Sequence, residues 1–145
     1  GVFLPIIGEI DDIDPFHVTR LILCSGKVYY DLLEARREAN LRHIAIIRIE
    51  QLYPFPNEYF KAEIEKYPNV ELVVWCQEEP KNQGAWYQSK HHFYEIIDEN
   101  IPIIYAGRVP SAAPAVGSYK THVNEQKAVV QSALYGNKEG RKNEF

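Results

Sequence analysis

Cysteine, methionine and long apolar runs are what this chain is short of. Its 145 residues hold two cysteines and no methionine. Cys24 and Cys76 each close an apolar stretch, so two small buried thiols are expected rather than a disulfide framework. No stretch reaches the roughly 18 apolar residues of a membrane span, and no basic segment precedes an apolar one at the start. Neither a span nor a leader is therefore expected, and the expected compartment is the cytoplasm. The initiator is missing as well, so Gly1 is expected to arise by processing or excision. Neither sign of charge dominates: the net charge is −4, which gives no electrostatic ground for nucleic acid or an anionic membrane as partner. Protein surfaces are the better expectation. A glycine-rich phosphate loop is absent too. Cys24-Ser25-Gly26-Lys27-Val28 offers one glycine where the dinucleotide fingerprint takes three, so an ordinary strand-to-helix turn is favoured over an anion site at Lys27.

With 46% hydrophobic and 25% charged residues, the chain suits one globular domain large enough to bury a core. Strand and helix patterns alternate along it. Val2 to Ile7 is a short apolar run containing Pro5, which suits an edge strand, and the acidic link Glu9 to His17 leads to the strand Leu21 to Cys24. After the Ser25-Gly26 turn, Val28, Leu32, Leu33 and Ala35 fall at helical spacing within Lys27 to Asn40, with Asp31, Glu34, Arg36, Arg37 and Glu38 on a solvated face. His43 to Ile49 is a β-branched strand. Asn57 is placed as the cap of a helix that turns Tyr59, Phe60, Ile64 and Tyr67 inward, and Val70 to Cys76 is the next strand. Ala85 to Asp98 reads as helix and Ile101 to Ala106 as strand. The closing helix, Lys120 to Tyr135, carries Val123, Val129, Val130, Ala133 and Leu134 along one side. Repeated βαβ units imply a mostly parallel sheet with helices on both faces. Gln77 to Gly84 and Gly107 to Tyr119 are the widest loops, and one domain over residues 1–135 with a polar, frayed tail at 136–145 is the expected organisation.

Few residues offer self-contained chemistry. His91 and His92 are adjacent and point about 100° apart on a helix, which is wrong for chelating one metal. A dyad of Cys76 with one of them is conceivable, but the thiol lies in strand pattern rather than in an exposed turn. Glu78 and Glu79 are neighbours at a strand's carboxyl end, able to hold a proton or a cation, or to pair with a base across a subunit contact, and the structural role is favoured. Pro80, Asn82, Gln83 and Gly84 continue a rigid polar loop, and Trp86 and Tyr87 give an aromatic anchor in the helix that follows. Glu50-Gln51-Leu52 emerges beside them, since open α/β sheets gather function at the carboxyl ends of strands.

Three long motifs, CSGKVYYDL at Cys24 to Leu32, RIEQLYPFP at Arg48 to Pro56 and WCQEEPKNQGAWY at Trp75 to Tyr87, resemble one family in the same order. It is the thiamine diphosphate-dependent 2-oxoglutarate dehydrogenase component, at its C-terminal, transketolase-like domain, and the resemblance covers nearly all of residues 2–135. It implies a three-layer αβα fold with a five-stranded, mostly parallel sheet carrying one antiparallel edge strand, supplied by Val2 to Ile7. It further implies a homodimer, hence a second copy of the same subunit as partner, and a succinyltransferase core with its lipoyl domain as the other. No catalytic or metal-binding residue is expected in this chain. The family's thiamine diphosphate and magnesium are implied for the full-length citric-acid-cycle enzyme and held by other domains, and no G-D-G stretch followed by an asparagine occurs here. Glu78, Glu79, Asn82 and Gln83 are then expected at an interface or active-site rim. The alternative is a regulatory module, of the same or a 2-oxoadipate-type enzyme, binding an acyl-CoA or nucleotide effector with Gln51 as its contact; Asn57-Glu58-Tyr59 places no basic residues where a phosphate-rich effector would want them. A free-standing interaction domain is the third reading.

Overall fold

A computed structural model describes residues 3–108 and 119–137. Among these, five strands form one sheet: β1 (Ile6–Ile7), β2 (Arg20–Cys24), β3 (Ile44–Ile49), β4 (Leu72–Pro80) and β5 (Ile103–Arg108). Their order is β1-β3-β2-β4-β5. Neighbours run parallel except β1, which pairs antiparallel with β3 through Ile6 opposite Ile49. This is the expected sheet, with the expected antiparallel edge. Val2, the start of that predicted strand, lies outside the described residues.

Helices cover both faces: α1 (Val28–Ala39) and α4 (Tyr119–Tyr135) on one, α2 (Asn57–Glu65) and α3 (Trp86–Ile96) on the other. Alternate strand residues serve the two cores. Leu21, Leu23, Ala45, Ile47, Val73 and Trp75 meet Phe60, Trp86 and Phe93, whereas Ile22, Ile44, Ile46, Val74 and Ile104 meet Leu32, Leu33, Val130 and Ala133. Burial on both faces is why these strands read as unbroken apolar runs rather than as alternation.

The turns follow from backbone limits. Gly26 sits at φ +79° with nothing within 4 Å of where a Cβ would stand, so the left-handed backbone rather than space asks for glycine there. Asn40 closes α1 in the same region at φ 52°, returning its N–H to the Arg36 and Arg37 carbonyls. At the far end of α4, Arg20 supplies the missing donors: its Nε donates to the Ala133 carbonyl at 3.0 Å and its Nη2 to Gly136 at 2.7 Å. Gly136 is thereby tied to the sheet, and the rest of the expected tail, from residue 138, lies outside the described residues.

Several expectations are corrected. Arg36 is 2% exposed, not solvated, because it continues the stripe of Leu32 and Leu33 into the core. Its guanidinium pairs with Glu9 and with Asp11 (2.6 Å) and donates to the Ile44 carbonyl. Glu9 also accepts from the Ile46 N–H at 2.8 Å, so a carboxylate takes up the β3 edge where the two-residue β1 has ended. The acidic link is a strap that supplies buried countercharge. Asn57 is the first helical residue rather than the cap; Pro56 holds that place, where its lack of an N–H costs nothing. Starting there, α2 turns Phe60 inward and Tyr59 out, 58% exposed. Tyr87 is likewise half exposed while Trp86 is fully buried, so the anchor on α3 is one ring, not two.

Candidate functional site

Parallel strands deliver the ends of β2, β3 and β4 to one rim of the sheet. β2 stops at Cys24 and hands the chain through Ser25-Gly26 to Lys27 and α1. β4 does not stop at Cys76. It runs on through Gln77, Glu78 and Glu79 to Pro80, paired with β5 as far as Arg108 across a register shift. The first half of the expected loop is therefore strand, since β5 also continues past Ala106 and gives those residues a partner to pair with. Gly107 permits this pairing: a Cβ there would lie 2.9 Å from the Gln77 carbonyl.

The overhanging strand end and the Ser25–Lys27 turn enclose a cavity of about 420 Å³, lined by both carboxylates, Glu78 and Glu79, with Lys27 and Arg108 beside them. Burial pushes the Glu78 carboxyl above its ordinary range, the Lys27 ammonium pulls it back and the Glu79 charge raises it further. Arg108 approaches Glu125 of α4 at 3.7 Å. The cavity thus joins two acids of β4 with one base from the turn into α1 and one from β5.

Asn82 and Gln83 are exposed in the turn that follows, and their side chains do not line this cavity. Gln51 is farther off: its Nε2 donates to the Pro54 carbonyl at 2.7 Å, within the loop that carries the cis Tyr53-Pro54 bond. Of the expected residues, the structure brings the acid pair together and leaves the amides apart.

Gln77 is the residue that the sequence reading passed over, although a polar side chain directly continuing a buried strand was its signal. It is 2% exposed. Its Nε2 donates to the carbonyls of Glu79 (3.1 Å), Pro80 (2.9 Å) and Gln83 (2.7 Å), and its Oε1 accepts from Trp75 Nε1 (2.9 Å) and the Trp86 N–H (3.2 Å). One amide thus folds the Pro80–Gly84 turn onto β4 and caps α3, whose own cap residue, Ala85, has no side-chain acceptor. Tyr105 adds a hydrogen bond from its hydroxyl to the Glu79 carbonyl at 3.2 Å.

Nucleophilic chemistry finds no footing here. Cys24 and Cys76 lie side by side in the register of β2 and β4, both fully buried and both free. Burial pushes the Cys24 thiol up to about 12 and raises the Cys76 thiol well above its ordinary value, which keeps both protonated and unreactive. His92 stacks on Phe55 with ring centroids 4.4 Å apart, and burial followed by the neighbouring His91 lowers its pKa. Among the described residues no three His, Cys, Asp or Glu side chains come together as a metal site. What the cavity can do is hold opposite charge and present carboxylates to a neighbour.

Comparison with known proteins gives the chain its relatives. The family model described as 2-oxoglutarate dehydrogenase C-terminal matches residues 1–134. The 2-oxoglutarate dehydrogenase E1 component of Haemophilus influenzae is 58% identical over 134 residues, which is 92% of this chain and 14% of that protein. That of Coxiella burnetii is 54% identical over 131 residues, 89% of this chain and 14% of the relative. The chain therefore spans about a seventh of the length of these curated relatives. Among solved structures, a split gene transketolase, described as an inactive beta4 tetramer, superposes with a TM-score of 0.61 at 18% identity, covering 91% of this chain and 43% of that one. This likeness shows the fold.

Proposed function

The chain belongs to the 2-oxoglutarate dehydrogenase C-terminal family, and from that premise we propose that it is the structural, dimer-supporting domain of a thiamine diphosphate-dependent 2-oxoglutarate dehydrogenase. The whole enzyme takes 2-oxoglutarate, releases its carboxyl group as carbon dioxide and passes the succinyl group to a lipoyl arm of a succinyltransferase core. Its partners are a second copy of the subunit and that core. The observation that carries this reading is the family match over 134 of 145 residues, joined to an acid pair at the strand-end rim.

The described residues of this chain do not fit a magnesium-bound diphosphate. The strand-end cavity holds two adjacent carboxylates, whose charge repels a diphosphate, and no third acidic, histidine or cysteine donor joins them among the described residues. Cofactor and magnesium accordingly belong to other parts of the full-length enzyme, and no chemical step is assigned to this chain. Glu78 and Glu79 serve instead as an interface or rim element, with Asn82 and Gln83 on the exposed turn beside them.

The test is the double substitution Glu78→Ala with Glu79→Ala in the full-length enzyme. A cation left without its partner across a desolvated contact costs about 2 to 5 kcal/mol, so dimer association or transfer to the lipoyl acceptor should weaken more than decarboxylation itself. Sedimentation velocity reports the dimer, and turnover with an artificial electron acceptor reports decarboxylation. A fully dimeric double mutant that loses artificial-acceptor turnover by about a hundredfold, roughly 2.7 kcal/mol in barrier, would make the pair catalytic and overturn the assignment.

A further inference from the structure

On the sheet face that they cover, α1 and α4 leave an open groove of about 680 Å³ between them. One wall carries Asp31, Glu34 and Glu38, spaced so that they share one side of α1, and all three are exposed. Among the described residues, the other wall answers with the cation Lys127. The floor is apolar: Ala35, Val123 and Val130, the last buried at 6% exposure against the core. Gln126 lines the groove as well. Its Nε2 donates to Asp31 at 2.9 Å, while its buried Oε1 has no donor among the described residues. A buried acceptor left unanswered is uncommon and costly.

An exposed acidic helix face is ordinary; an acidic wall over an apolar floor with an unmet acceptor is not. We propose that the α1–α4 groove docks a basic amphipathic segment of a partner polypeptide, its apolar side on Ala35, Val123 and Val130 and its cations against Asp31, Glu34 and Glu38. The mode is that of a helix laid in a groove, where apolar anchors supply adhesion and flanking charges set orientation. Charge selects among occupants. A second copy presenting the same groove would set acid against acid in a two-fold contact, and a nucleic acid or anionic lipid would meet like charge. This inference does not rest on the dehydrogenase reading, because the groove shares no residue with the strand-end cavity.

The test uses the whole 145-residue chain, ¹⁵N-labelled, and a synthetic peptide of about 18 residues with leucines along one helical side flanked by arginines. Amide shifts should move along α1 and α4. Affinity should fall about tenfold between roughly 50 and 300 mM salt, as a contact led by partly exposed charges requires. Glu34→Lys with Glu38→Lys should weaken binding about tenfold or more, whereas Glu58→Lys with Glu65→Lys on α2 should leave it unchanged. Lys127→Glu should strengthen it, which keeps the test decisive should the double variant misfold. Equal loss in the two double variants would reduce the effect to net charge and overturn the proposal. So would shifts elsewhere on the protein, no binding, or spermidine competing as well as the peptide, since a polyamine lacks the apolar side.

Discussion

Asp11 shows how far a single side chain is governed by what lies distant in sequence. The hydrogen bond from Arg37, reinforced by Arg36, holds its carboxyl down at about 2 against the partial opposition of burial. A folded-state pKa below the ordinary 3.8 means that the pairing contributes its full stability above the unfolded value and loses it as pH falls toward 2. Asp11→Asn should therefore lower the neutral-pH stability by about 1 to 2 kcal/mol, a figure moderated by partial exposure. Its urea midpoint should meet that of the parent near pH 2. If the two stay equally far apart at pH 7 and pH 2, the ion pairs stabilise nothing through charge. None of this was legible in composition: Arg36 reads as one more charge on a solvated face until the three-dimensional chain shows that a strap 25 residues earlier, Glu9 to Asp11, crosses it. Periodicity alone would have placed Arg36 on the buried stripe, and the polar label outweighed the geometry.

At the scale of elements, the strands were readable because both faces are buried, which leaves apolar runs such as Leu21–Cys24 and Ile44–Ile47 that no amphipathic helix would tolerate. The end of β4 was not readable. Gln77-Glu78-Glu79-Pro80 looks like loop, and only pairing with β5 makes it strand. The acid pair of the candidate site was visible as residue types, but its neighbours Lys27 and Arg108 come from other elements 51 and 29 positions away, which one sequence does not juxtapose. Gln77 joins these levels, since the strand end, the turn and the start of α3 meet on its amide. Gln77→Leu leaves three carbonyls and two N–H groups without it and should cost about 2 to 4 kcal/mol. Gln77→Glu should be worse, because a carboxylate faces three carbonyl oxygens to which it has nothing to donate. Hydrogen exchange gives the check. The Trp86 to Ser89 amides should exchange faster in both variants while those of α1 and β3 hold, and uniform acceleration would mean that Gln77 supports the whole fold rather than this junction.

For the whole molecule the question is what a chain that spans about a seventh of the length of its curated relatives can do by itself. Two apolar layers sandwich one sheet, giving the domain a core of its own on each face. At the strand-end rim the carboxylates are shadowed by Lys27 and by Arg108, which already lies near Glu125. A cofactor bearing a diphosphate and a divalent cation asks for the reverse: a cradle of donors for the anion and a cluster of oxygen ligands for the metal. The 145-residue chain should therefore give no saturable heat with thiamine diphosphate and magnesium in isothermal titration, and its thermal midpoint should not move. Linkage makes the second reading sensitive, because a ligand present at about a hundred times its dissociation constant stabilises the folded state by about 2.7 kcal/mol. A stoichiometric, micromolar signal, or a midpoint raised by several degrees, would place cofactor binding in this domain and return Glu78 and Glu79 from the rim to the centre of the chemistry.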